Sequence, residues 1–86
     1  MSYKNVAVKK VVESFFEIKK INDVNDSLKE LSSTFEEIFR FPIEIKEINT
    51  NEKSFWFTVC FNDGKVENFI HVTVTIHNQI RVTDFN

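Results

Sequence analysis

The residues able to do chemistry in this chain are few and badly spaced for it. Cys60 is the only thiol. As a nucleophile it would need a base within hydrogen-bond reach, and His71 is the candidate. A hairpin turning at Asp63-Gly64 sets Cys60 opposite Glu67. That leaves His71 two pair-rows away, about 13 Å at a strand's rise. The pattern therefore predicts a structural thiol. His71 and His77 share a strand face but stand six residues apart, about 20 Å, too far to share a metal. No HExxH or CxxC spacing exists, so no metal site and no cofactor is expected. Glu36-Glu37 and Glu44/Glu47 are the paired carboxylates, and they read as exposed helix and edge-strand charges. A general acid needs burial or a close partner to shift its pKa. With only Gly64 available, a glycine-rich phosphate loop is excluded. Catalysis is not expected.

Composition narrows the field further. The chain has 86 residues, of which 42% are hydrophobic and 28% charged, with a net charge of −2. That is one domain (1–86), near the small end of what folds alone. It is too apolar for a disordered tail. No apolar run approaches the ~18 residues of a membrane span. Lys4, Lys9, Lys10, Glu13 and Glu17 interrupt the start, so no secretory signal is expected and a cytoplasmic location is. A single cysteine excludes an internal disulfide framework.

Residues 1–21 carry five Lys and two Glu, residues 22–52 three basic and eight acidic groups, and residues 53–86 three of each. A nucleic-acid binder usually shows a basic excess. Here only the first stretch is basic and its lysines alternate with acids, which reads as a solvated helix face. Phe, Ile, Asn and Lys supply 37 residues, the amino acids of AT-rich codons. An AT-rich bacterium or a mobile element is the expected source.

With one Gly and one Pro, regular elements should fill most of the chain. Between Asn5 and Ile21 the residues Val8, Val11, Val12, Phe15, Phe16 and Ile18 fall near one side of a helical wheel. The valines of Val6–Val12 also suit a strand. A polar break, Asn22 to Asp26, follows. Ser27-Leu28-Lys29-Glu30 reads as a capping box. It opens a helix to about Arg40 whose buried stripe is Leu28, Leu31, Phe35, Ile38 and Phe39. Glu36 and Arg40 sit four apart on its outside. Pro42 ends it.

Everything after Pro42 reads as strand. Ile43-Glu44-Ile45 alternates, then loses phase at Lys46–Ile48, which predicts a bulge or an early end. Asn49–Lys53 is a loop. Phe55, Phe57, Val59 and Phe61 alternate with Trp56, Thr58, Cys60 and Asn62. Asp63-Gly64 is a two-residue turn signal. It pairs Phe55 with Val72, Phe57 with Ile70 and Phe61 with Val66, all apolar, whereas a one-residue slip sets a polar side chain against each Phe. A three-residue loop at His77-Asn78-Gln79 pairs Ile76 with Ile80 and Val74 with Val82. The expected fold class is α+β: two N-terminal helices packed on a four-stranded antiparallel meander, ααββββ.

The same pairing predicts the opposite sheet face. Trp56 lies across from His71, His71 across from Phe85, and Phe69 lies diagonally from Trp56. Thr58, Cys60, Thr73, Thr75, Arg81 and Thr83 surround them. Three aromatics form a patch that water does not favour. The first helix, a second copy or a foreign partner could cover it. The function expected is a small protein-protein interaction module, of inhibitor, immunity or accessory type. It would bind another protein or a second copy of itself through Trp56, Phe69, His71 and Phe85, with Arg81 at the rim. The alternative is a ligand-binding module with an apolar pocket between helix and sheet, lined by Phe35, Phe39, Phe57 and Phe61. An aromatic sheet can also stack single-stranded bases. Arg81 alone supplies positive charge nearby and the pI is about 5.6, which disfavours nucleic acid.

Overall fold

The computed structural model describes residues 3–18, 23–75 and 80–85, the side chains of Asp84 and Phe85 excepted. Two helices precede four strands: α1 (Tyr3–Ile18), α2 (Val24–Ile38), β1 (Ile43–Thr50), β2 (Ser54–Asp63), β3 (Val66–Thr75) and β4 (Ile80–Phe85). The strands form one antiparallel sheet in the order β1-β2-β3-β4. This is the expected α+β meander.

Val6–Val12 is helical. Asn5, Val8, Val12, Phe15 and Phe16 recur at helical spacing and are buried, so tertiary burial overrides the β-preference of valine. Ile18 is exposed despite its place on the expected stripe. Helix α2 begins earlier than the capping box at Ser27 predicts. Asp23 is the N-cap, in extended geometry, and its carboxylate accepts from the Asp26 N–H at 3.0 Å. Starting there brings Val24 onto the core as an extra apolar contact. Leu28, Leu31 and Phe35 are buried, Phe39 packs against them from the C-cap, and Ile38 is exposed.

Both helices lie on one face of the sheet. Val8, Val12, Phe15 and Phe16 from α1 and Leu28, Leu31 and Phe35 from α2 share one core with Phe55, Phe57, Val59, Phe61, Ile70, Val72 and Val74. Phe16 meets Phe55 and Phe57 at ring distances of 5.8 and 6.1 Å, and so ties helix to sheet. A second run of rings, Phe35–Phe39–Phe41–Phe61, closes the other end. The rings expected to line a pocket are therefore packed on neighbouring rings.

Face parity after Pro42 follows the expected alternation, but the register differs by two residues in both hairpins whose pairing the sequence predicts. Asp63 pairs with Val66, Phe57 with Val72 and Phe55 with Val74. The turn is thus Gly64-Lys65. Gly64 has φ +67 and Lys65 has no positive φ, so only glycine occupies the left-handed region. A turn at Asp63-Gly64 would have asked Asp63 for positive φ as well. In the last hairpin Val74 pairs with Ile80 and Val72 with Val82, in place of Ile76–Ile80 and Val74–Val82. The connecting residues 76–79, with His77, lie outside the described residues.

The expected bulge is present. Lys46 pairs with Thr58 and Asn49 with Trp56, so Glu47 and Ile48 together oppose Phe57. Glu47 takes φ 54, a conformation that few residues other than glycine adopt.

Candidate functional site: the uncovered sheet face

Because α1 joins α2 on the inner face, no described element covers the outer one. The register fixes its rows. Asn49, Trp56, Thr73 and Arg81 form the first, Lys46, Thr58, His71 and Thr83 the second, and Glu44, Cys60, Phe69 and Phe85 the third. Three expectations are corrected. Trp56 lies across from Thr73 instead of His71, His71 lies across from Thr83 instead of Phe85, and Phe69 lies two pair-rows from Trp56 instead of diagonally beside it. Phe85 instead neighbours Phe69 along the backbone, and its side chain lies outside the described residues. The two-residue shift preserves parity, so Trp56, Phe69, His71 and Arg81 remain on this face. Trp56 is 37% exposed, Phe69 and His71 are half-buried and Arg81 is exposed.

A hydrogen-bond chain crosses the centre of the face. The Thr58 hydroxyl lies 3.2 Å from Glu47 Oε2 and 3.2 Å from His71 Nδ1. An ionised carboxylate only accepts, so Thr58 donates to Glu47. The Thr58 oxygen then accepts from His71 Nδ1–H, which fixes the proton on that ring nitrogen. Thr58 is only 3% exposed, so the chain anchors the imidazole orientation from within the sheet.

The bulge makes this arrangement. Without it, residue 47 would point inward with Ile43 and Ile45. The extra residue sends the Glu47 carboxylate outward and lets Ile48 line the α2 side with Leu28, Ile43 and Ile45. Glu47 is therefore more than an edge-strand charge, which is how its sequence context reads. The only sequence signal was the lost phase at Lys46–Ile48, and it located the bulge without naming its partner.

Glu44 instead pairs with Lys46 at 3.3 Å, and that hydrogen bond is the main reason the lysine pKa is raised. Cys60 sits between Glu44 and Phe69 rather than opposite Glu67, so His71 is its diagonal neighbour and nearer than expected. Burial pushes the Cys60 thiol up, while Lys46 pulls it down less strongly. A catalytic thiol needs the reverse. Glu36 and Glu37 are exposed on α2. Among the described residues, no three His, Cys, Asp or Glu side chains are grouped to hold a metal. No described helix is long and apolar enough to cross a membrane.

The basic start of the chain does not reach this face through Lys4. That ammonium lies 4.5 Å from the Phe41 ring centroid and 3.3 Å from the Asn62 carbonyl oxygen, at the hairpin end. Comparison with protein-family models, with curated proteins and with solved structures finds no match to this chain.

Proposed function

We propose that this protein works by docking another protein chain onto its outer sheet face. One observation carries the reading: both helices pack on the same side of the sheet and leave Trp56, Phe69 and His71 uncovered by any described element. An exposed Trp on a sheet face that also carries Phe69 and His71 is a typical interface anchor. The rim supplies Arg81, Glu47 and the Glu44–Lys46 pair for orientation. The helix layer stiffens the sheet from behind, so little ordering accompanies binding.

The raised thiol of Cys60 and the exposed, unclustered carboxylates favour an accessory or inhibitor-type role over catalysis. The abundance of Phe, Ile, Asn and Lys, amino acids of AT-rich codons, suits such a protein in a bacterium or mobile element, acting in the cytoplasm. A pocket between the layers is less well supported, since its rings contact one another.

Affinity capture with wild type and Trp56→Ala side by side tests the reading. A partner titrated against both proteins should bind the variant roughly 30-fold more weakly, the effect of losing about 2 kcal/mol at a hot spot. Equal affinity in a folded variant would remove Trp56 from the contact.

A further inference from the structure

We infer that the outer sheet face is self-complementary and that a second copy of this chain occupies it, about a two-fold axis running parallel to the strands. The inference rests on the docking reading above and names its occupant.

Charge selects both the occupant and the axis. On β1 the Lys46 ammonium is engaged by Glu44, which leaves the Glu47 carboxylate as the net charge of that edge. On β4, the opposite edge of the sheet, Arg81 is exposed on the same face. One edge is therefore negative and the other positive. Two sheets stacked face to face are related by a two-fold axis in the contact plane. An axis across the strands lays each strand over its own copy, so acid meets acid and Arg81 meets the strand bearing Arg81. An axis along the strands, between β2 and β3, reverses their order and lays β1 over the partner's β4. Arg81 then sits above the Asn49–Trp56 row, one row from Glu47, within a guanidinium's reach. Both copies make the same contact.

The side chains between these edges fit the same operator. Trp56 meets the threonine at position 73 in the facing sheet, and His71 meets the Thr58 position, so ring faces small β-branched side chain in each case. Sheets packed this way lie about 10 Å apart with their strands aligned. Four strands at a spacing of ~4.8 Å, with ten-residue central strands, give a face of about 600 Å² per copy. Side-chain relief raises the accessible area toward the roughly 800 Å² per partner of a standard specific interface.

The test uses light scattering or sedimentation of the full chain from about 1 μM to about 500 μM, a range that brackets ordinary dimer affinities. Wild type should be dimeric at the upper end. Arg81→Glu sets two carboxylates against each other twice and should weaken self-association at least tenfold. Glu47→Arg should do the same with two guanidinium groups. An equimolar mixture of the two variants restores both opposite-charge contacts and should form a heterodimer of near wild-type affinity. Circular dichroism checks that each variant folds. A second measurement needs no variant: Trp56 is the only tryptophan, so its emission should move to longer wavelength as wild type is diluted through dissociation.

A wild type that stays monomeric throughout overturns the self-pairing and leaves the docking reading to its own Trp56 test. A dimer whose Trp56 emission does not change on dilution, or one that Arg81→Glu leaves intact, places the contact elsewhere and overturns the inference as well.

Discussion

At Cys60 two effects oppose each other. Removal of the thiol from water favours its neutral form, while the Lys46 ammonium favours the thiolate. Burial is the larger, and Glu67, Glu44 and Glu47 add to it, so the folded-state pKa lies above the ordinary 9.0. A raised thiol pKa means that the unfolded chain loses its proton first as pH rises. The contribution to stability is complete below the unfolded value and declines as pH climbs past it toward the folded value. Urea unfolding should therefore show wild type losing stability as pH rises above about 9 relative to Cys60→Ala, with no difference in slope at pH 7. Identical pH profiles would show that the thiol is solvated in the native state. Along the same face, the donor order Thr58 to Glu47 and His71 to Thr58 was not readable from spacing. It depends on a bulge residue whose φ has the opposite sign from its neighbours.

Elements divide sharply into those the pattern specifies and those it leaves open. Strand parity was legible because the period of two is unbroken from Phe55 to Phe61 and again through Ile70, Val72 and Val74. Register was not. Sliding one strand by two residues exchanges Val72 for Ile70 opposite Phe57 and keeps every side chain on its face, but it sets the buried Asn68 opposite Phe61 in place of Val66, so the apolar pattern alone favours the register that the protein does not adopt. Turn chemistry decides, through glycine alone at positive φ. The start of α2 is a similar case. Ser27 and Glu30 satisfy a capping-box pattern, but Asp23 caps one turn earlier and gains the Val24 contact. Asp23→Ala should cost about 1 kcal/mol in urea unfolding, as cap losses do, and Ser27→Ala only a few tenths. The reverse ranking would restore the later start.

For the molecule as a whole, the two layers are joined most directly through Phe16. It is fully buried and touches the rings of Phe15, Phe55 and Phe57. Phe16→Ala should destabilise the protein by about 3–5 kcal/mol, the range for a buried aromatic. In a domain of this size that is a large share of the total, and the thermal midpoint should fall steeply. A loss below 1 kcal/mol would mean that α1 is not held against the sheet as described. The placement of α1 was the feature least accessible beforehand. Its apolar stripe demands a hydrophobic surface, but both sheet faces offered one, and a helical wheel carries no information about which.

Strike Glu47 from the chain and β1 becomes an uninterrupted alternation: Ile43, Ile45 and Ile48 toward the helices, Glu44, Lys46 and Asn49 away. The interior would accept that shorter sequence without repair. The surplus residue thus holds its backbone in an uncommon twist and delivers one anionic group to the buried Thr58 hydroxyl on the outer side of the sheet. Its structural consequence lies on the outer face, where it holds Thr58 and, through Thr58, the His71 ring.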